Sequence, residues 1–327
     1  MHAAIVEQAG GPDAISITDL PVPEPGKGQV RIKVAYAAMN PLDAHARAHR
    51  VKWMHPGFPF TPGFEYSGVI DACGEGVDAG MLGKRVACNG QWGGCAEFAL
   101  ANAAMLEEIP DGLDFKTGAV FSTCAYTAWL LVHTAAKLQA GQSIAIHSAA
   151  GAVGALLIQG AKSAGATVFA LAGGEEKLRY ASQFAPDHLV DYNDEAWPAK
   201  VVELNGGRGV DVIIDGNAGP NALRNFDAIA SMGKVIFIGA TAGEAPDVSV
   251  SMLIGKNCSV SGFVQYLHQA VSGGAEKAAM HEALVSGKWT IPIERVFLLD
   301  ELGDAHRAWE SRELVGRTLI EIGGEVE

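Results

Sequence analysis

Charge is scarce in this 327-residue sequence: Asp, Glu, Lys and Arg make up 19% of it, against 49% apolar residues. The basic side is scarcer still, with 24 Lys and Arg against 37 Asp and Glu, a formal net charge of −13. That shortage of cations argues against non-specific gripping of a phosphate backbone, so no nucleic-acid partner is expected. Long apolar runs are lacking too. The least polar stretches, Phe121–Ala136 and Ala149–Gly160, are broken by Ser, Thr, His and Gln, and neither is built to span a bilayer. Met1–Gly10 has no basic start and no apolar run, so a secretory leader is not expected there. The five cysteines (Cys73, Cys88, Cys95, Cys124, Cys258) are odd in number, scattered and without a C-x-x-C pair. They suit reduced thiols in a cytoplasmic compartment rather than a disulfide framework.

The length suits two domains. The first third reads as β-rich: Val30–Ala35 alternates apolar with polar, and short apolar runs follow at Tyr66–Ala72, Arg85–Ala87 and Cys95–Leu100. The rhythm then changes. Apolar runs at Ser143–His147, Thr167–Leu171, Val210–Asp215 and Lys234–Ile238 alternate with helical patterns at Ala152–Ala164, Glu175–Phe184, Glu195–Leu204 and Pro220–Ala230. Strand–helix alternation of this kind predicts βαβ units around a parallel sheet, hence an α/β protein. Leu189-Val190-Asp191 reads as a short third strand, Cys258–Val264 as a sixth, and Ala275–Ser286 as a helix. The expected division is a β-rich domain over 1–120, completed by 266–327, and a doubly wound domain over 121–265.

The segment Gln142–Gly165 is the most informative. A strand ends at His147, the turn Ser148-Ala149-Ala150-Gly151-Ala152-Val153-Gly154 follows, and an amphipathic helix begins. In this strand-to-helix context an A-x-G-x-x-G pattern is a dinucleotide fingerprint with Ala149 at its first glycine position. The helix start offers free N–H groups to a pyrophosphate, which marks Ala150, Gly151, Ala152 and Val153 as cofactor-binding. The second strand ends in Ala172-Gly173-Gly174 with no carboxylate at its tip, where NAD-binding sheets carry one for the ribose hydroxyls. With Gly173, Gly174, Lys177 and Tyr192 at hand, the reading favours NADP(H) over NAD(H). Glu175 and Glu176 are the residues that weaken it.

Motifs in order along nearly the whole chain carry a resemblance: Ala38-Met39-Asn40-Pro41-Leu42-Asp43, Pro62-Gly63-Phe64-Glu65-Tyr66-Ser67-Gly68-Val69, Gly83-Lys84-Arg85-Val86, Gly93-Gly94-Cys95-Ala96-Glu97-Phe98, Thr127-Ala128, Ala150–Gly154 and Gly209–Asp215. The chain resembles the zinc-independent medium-chain dehydrogenases/reductases of the quinone oxidoreductase (zeta-crystallin-like) group. The resemblance implies a GroES-like catalytic domain, a Rossmann domain inserted in it with a six-stranded parallel sheet, a cofactor cleft between the two, and dimerisation through the last Rossmann strand. Zinc-dependent relatives carry Cys where this chain has Asn40 and Gly-His-Glu where it has Gly63-Phe64-Glu65. They also carry four closely spaced structural cysteines that are absent here. Glu65 and Asp43 alone do not make a tetrahedral ligand set, and the spacing of His45, His49 and His55 fits no usual one. No zinc is expected.

The resemblance also assigns roles. Asn40 stands where relatives face the nicotinamide or substrate, although an Asn before Pro41 also suits an Asx turn. His45 replaces a tyrosine near the substrate and is the candidate proton donor, or else a surface histidine; Arg47 beside it reads as structural. Asp43 and Glu65 read as scaffolding of the cleft floor. Thr127 approaches the nicotinamide amide in relatives, or bonds its own helix. Asn217 and Gly239 follow the fourth and fifth strands, at the strand ends where such sheets bind ligands. Phe263 and Val264 border the nicotinamide or belong to the core. Arg317 resembles a basic residue that reaches NADP, or is solvent-exposed. Trp53, Phe58 and Phe60 are candidates for an apolar substrate pocket.

Hydride transfer to an electron-poor quinone or α,β-unsaturated carbonyl needs no Lewis acid, whereas oxidation of a simple alcohol does. The expected function is therefore an NADPH-dependent quinone or enone reductase acting on a small apolar carbonyl compound. The alternatives are a 2-enoyl thioester reductase and a non-catalytic, crystallin-like NADPH-binding protein. The edge Asn257–Val264 calls for cover, and a homodimer supplies it.

Overall fold

The computed structural model describes residues 1–52, 54–272 and 275–325, so Trp53 lies outside the described residues. The chain opens with an antiparallel pair, β1 (His2–Val6) and β2 (Ile15–Asp19). Alternation of Val30, Ile32 and Val34 with Arg31 and Lys33 yields β3 (Gln29–Ala38), which buries that apolar face. Pro41 opens α1 (Pro41–Arg47), where its missing N–H and fixed φ are harmless. β4 (Glu65–Cys73), β5 (Arg85–Asn89), β6 (Phe98–Asn102) and β7 (Leu106–Glu108) follow. β3 pairs antiparallel with both β4 and β6, and β5 joins β4 to β7.

Residues 95–97, expected within the strand run Cys95–Leu100, precede β6. Their backbone bonds elsewhere: Cys95 N donates to Pro62 O (2.9 Å), and Cys95 O accepts from Ala4 N (2.9 Å).

The described residues form two compact units, 1–123 with 291–327 and 124–290. α2 (Phe115–Gly118) closes the first stretch of unit one, and α3 (Tyr126–Leu130) opens unit two. Unit two then runs β8 (Ser143–Ile146), α4 (Ala152–Ser163), β9 (Thr167–Ala172), α5 (Glu175–Ser182), β10 (His188–Asp191), α6 (Trp197–Leu204), β11 (Val210–Asp215), α7 (Asn225–Ala228), β12 (Ile229–Phe237), α8 (Val250–Lys256) and β13 (Ser259–Gly262). All six strands are parallel, in the order β10-β9-β8-β11-β12-β13. The order reverses between β8 and β11, the switch point of a doubly wound sheet. The helix expected over 220–230 is cut short because Ile229 pairs with Val210 and begins β12 five residues before the predicted Lys234.

The return to unit one comes at 291, later than the expected 266. α9 (Gln265–Ser272) and α10 (Ala275–Val285) lack intervening strands, which hides their membership of unit two in the sequence. Thr127 Oγ1 donates to Gln265 Oε1 (3.1 Å) and Thr134 Oγ1 to Glu276 Oε1 (3.0 Å), tying both helices to the segment around α3. β14 (Ile293–Leu298), α11 (Leu302–Glu310) and β15 (Arg317–Glu321) then complete unit one, with β15 antiparallel to β3 and parallel to β14. No helix among the described residues is long and apolar enough to cross a membrane.

Candidate functional site

In unit two the tips of β8, β9, β11 and β12 carry the predicted nucleotide-binding residues. Ser148, at φ 53°, takes the left-handed position of the turn after β8. Ala149 is thereby spared the conformation that a glycine usually supplies in the fingerprint. Gly154 has no substitute: a Cβ there would lie 2.3 Å from Ser148 O and 2.8 Å from Ala149 Cα. Without it α4 packs directly onto the turn. Gly151 caps α4 in extended conformation with no side chain bonded to the first N–H groups, so those of Ala152 and Val153 carry no side-chain cap.

Asn217 lies among these tips. Its Oδ1 accepts from Ser148 Oγ (2.5 Å) and Thr241 Oγ1 (3.2 Å), which turns the amide NH2 away from both hydroxyls. Gly239 passes close to Gly216, leaving a Cβ only 3.0 Å from Gly216 O. Beneath them runs a buried chain that the sequence reading did not single out. Asp215 accepts from Asn217 N (2.7 Å), Ala218 N (3.0 Å) and Asn225 Nδ2 (2.8 Å). Asn225 Oδ1 in turn lies 2.8 Å from His147 Nε2, which therefore carries the proton. The His147 ring stacks on Tyr192 at 6.1 Å between centroids.

At the β9 tip Tyr192 covers Gly173, where a Cβ would meet its ring at 2.9 Å. Gly174, at φ 85°, caps α5, on which Lys177 is half-buried and Glu175 and Glu176 are exposed. The sequence shows no carboxylate at this tip; the sheet supplies one from the neighbouring strand. Asp191 pairs in register with Ala172, and its Oδ1 accepts from Gly174 N (3.1 Å) and Asn193 N (2.9 Å). Elsewhere in unit two, Phe263 stacks on His268 at 4.6 Å. Thr127 uses its hydroxyl on Gln265 rather than on its own helix.

In unit one Asn40, Asp43, Glu65 and Arg317 form one buried cluster. Arg317 Nη2 donates to Asn40 Oδ1 (2.9 Å) and Glu65 Oε2 (2.6 Å), and Nη1 to Met39 O (3.3 Å). Arg317 is thus not solvent-exposed, the alternative to its reaching a cofactor. It is a buried clamp, because β15 runs beside β3 and delivers it under Asn40. Asn40 Nδ2 donates to Glu65 Oε2 (3.3 Å), so the amide orientation is determined and one N–H stays without a partner among the described residues. Glu65 Oε1 accepts from Thr123 N (3.0 Å). Arg317 Nε and Thr123 Oγ1 are buried without a hydrogen-bond partner among the described residues.

Asp43 works as a clip: Oδ1 accepts from Gly63 N (2.8 Å) and Phe64 N (3.3 Å), and Oδ2 from Asn40 N (3.0 Å). Burial pushes its pKa up to about 6 against these N–H groups and Arg317. Glu65 is likewise raised by burial, with Arg317 opposing.

His45 is not drawn into this cluster. It packs edge-on to Trp309 of α11 (5.7 Å), and burial, helped by Arg50, lowers its pKa, with Glu310 opposing. Arg47 is structural, as expected: it donates to Gly10 O (3.1 Å) and pairs with Glu310 and with His306 Nδ1 (3.1 Å). Phe58 and Phe60 belong to a run of rings continuing through Trp92 to Phe64; the last two rings are 5.0 Å apart.

The donor set at Asn40 does not suit a zinc ion. An amide and a phenyl ring occupy two of the ligand positions of zinc-dependent relatives, and Glu65 is already held by the Arg317 cation. Among the described residues no three His, Cys, Asp or Glu side chains converge as a metal site.

Comparison with known proteins agrees with this architecture. Residues 26–133 match the alcohol dehydrogenase GroES-like domain, and residues 152–279 match the family described as zinc-binding dehydrogenase. Rat (Rattus norvegicus) quinone oxidoreductase is 30% identical over 94% of this chain and 93% of its own. A 2-haloacrylate reductase of a Burkholderia species is 28% identical over 97% and 98%. A mycobacterial protein solved in complex with NADPH superposes with a TM-score of 0.88 at 27% identity, over 98% of this chain and all of that one. The chain belongs to the quinone oxidoreductase group of the medium-chain dehydrogenases/reductases, and the α/β fold, with a GroES-like unit and a doubly wound six-stranded parallel sheet, is that of the family.

Proposed function

We propose that the protein is an NADP(H)-dependent reductase that delivers hydride to a quinone or an α,β-unsaturated carbonyl compound without zinc. The observation that carries this reading is the Asn40 amide. Arg317 holds its oxygen and Glu65 one N–H, leaving the other N–H to donate to a carbonyl oxygen as negative charge develops there. Bound NADPH supplies the hydride. Ala150, Gly151, Ala152 and Val153 hold the pyrophosphate; Gly173, Gly174, Lys177 and Tyr192 hold the adenosine 2′-phosphate. Asn217, Gly239, Thr127 and Phe263 position the remainder. Burial lowers the pKa of His45, which disfavours its protonated form, so water is the better proton source for the product. The NADPH bound by the mycobacterial neighbour supports the cofactor reading, and the activities named for the rat and Burkholderia relatives support the acceptor class.

The same reading includes a homodimer. β13 is an edge strand, flanked by Met232, Val250 and Ile254, which are 74, 70 and 74% exposed. The five free cysteines support a reducing, cytoplasmic setting.

The test is NADPH oxidation with 9,10-phenanthrenequinone, with crotonyl thioester, and after treatment with a strong zinc chelator. Quinone turnover that survives chelation is expected. Preferred turnover of the thioester moves the protein to the enoyl reductases, chelator-sensitive turnover overturns the zinc-free mechanism, and no turnover at all leaves a binding protein.

A further inference from the structure

We propose that Asp191 is a specificity-determining residue that holds down the preference for NADPH and lets the same pocket accept NADH. This inference rests on the cofactor reading above. The side chain stands at the tip of β10, in register with Ala172 at the tip of β9. An acidic residue at the end of the second strand is what binds the ribose hydroxyls in NAD-binding sheets. Here the acid arrives from the third strand instead. Its Oδ1 is engaged by Gly174 N (3.1 Å) and Asn193 N (2.9 Å), in the turns that follow β9 and β10. Oδ2 is the oxygen left to accept from a ribose hydroxyl.

The surroundings sharpen the effect. Tyr192 follows Asp191 directly and its ring covers Gly173, so the carboxylate and the proposed phosphate contacts share one small region. Glu175 and Glu176, exposed in the first turn of α5, add negative charge, with Lys177 and Arg179 the cations of that helix. A phosphate entering there meets like charge, whereas a ribose diol meets an acceptor.

Asp191→Asn separates these roles. The amide keeps an oxygen for Gly174 and Asn193, so the turns stay intact, while an NH2 replaces Oδ2. Calorimetric titration with NADPH, NADH, 2′,5′-ADP and 5′-AMP reads the outcome without turnover. The variant is expected to bind NADPH and 2′,5′-ADP about fivefold more tightly, and NADH and 5′-AMP more weakly. Asp191→Ser, which keeps a short acceptor for the turns and no charge, is expected to move the NADPH-to-NADH ratio the same way. An unchanged ratio in both variants, or equal weakening of all four nucleotides, leaves Asp191 only a turn residue and overturns the inference. Wild-type protein that binds neither dinucleotide overturns the cofactor reading itself, and this inference with it.

Discussion

Asn40 shows how much a single side chain gains from its neighbours. Alone, an asparagine amide rotates and its two ends compete for partners; between Arg317 and Glu65 it has one orientation and one donor left. A preorganised donor aimed at developing charge typically contributes about 10²–10³ to kcat, because it needs no reorganisation in the transition state. Asn40→Ala is therefore expected to lower kcat with 9,10-phenanthrenequinone by about 100-fold while the NADPH dissociation constant stays within about twofold. Steady-state kinetics and a fluorescence titration of the same variant check both halves. A loss confined to cofactor affinity would place Asn40 outside the chemistry. The two candidates Asn40 and Arg317 turn out to be one device, while His45 stands apart against Trp309. Nothing in their spacing along the chain foretells that pairing.

At the scale of elements, α1 and α11 meet through a buried polar contact whose charge state depends on pH. His306 on α11 accepts from Arg47 on α1, and burial beside that guanidinium lowers its pKa from 6.5 to about 3. Between those values the unfolded chain binds a proton that the native state refuses, so stability from this site falls as the pH drops from about 6.5 toward 3. Asp43, at the other end of α1, behaves oppositely. Its pKa rises from 3.8 to about 6, so the native state takes the proton first and gains stability as the pH drops through that window. Each slope is up to about 1.4 kcal/mol per pH unit. His306→Gln, which keeps an acceptor for Arg47, is expected to gain stability relative to wild type as the pH falls from 7 to 4.5. Asp43→Asn is expected to lose it. Urea midpoints at several pH values decide the matter; a pH-independent difference for His306→Gln means that the buried ring takes up its proton as readily as in the unfolded chain.

For the whole molecule, the open question posed by the fold is what covers β13. Its partner on one side is β12, and its other edge is unpaired among the described residues. Extending the sheet through a second copy would satisfy that edge. Light scattering is expected to report a dimer at micromolar concentration, and Gly262→Pro, which removes a donor from the outer edge because Phe263 N–H faces β12 and the N–H of Gly262 therefore faces away, to shift it toward monomer with unit two still folded. A monomeric wild type defeats this expectation.

Much of this architecture was legible in the amino-acid order. The six parallel strands, the helices between them and the glycine turn at 148–154 follow from local periodicity and from the need for a bare backbone at Gly154, and these are properties of short segments. The absence of zinc ligands at positions 40 and 64 was equally plain, since it is a matter of residue type. Tertiary structure alone decided what depends on neighbours distant in the chain. It put Arg317 under Asn40, because β15 pairs with β3 across some 280 residues, and it put Asp191 beside Ala172, because parallel pairing aligns two strand tips. It also kept α9 and α10 with the second unit, because their attachment lies in side-chain contacts to the segment around α3 rather than in any βα rhythm. Periodicity reports which face of an element is buried, but not which strand will lie against it.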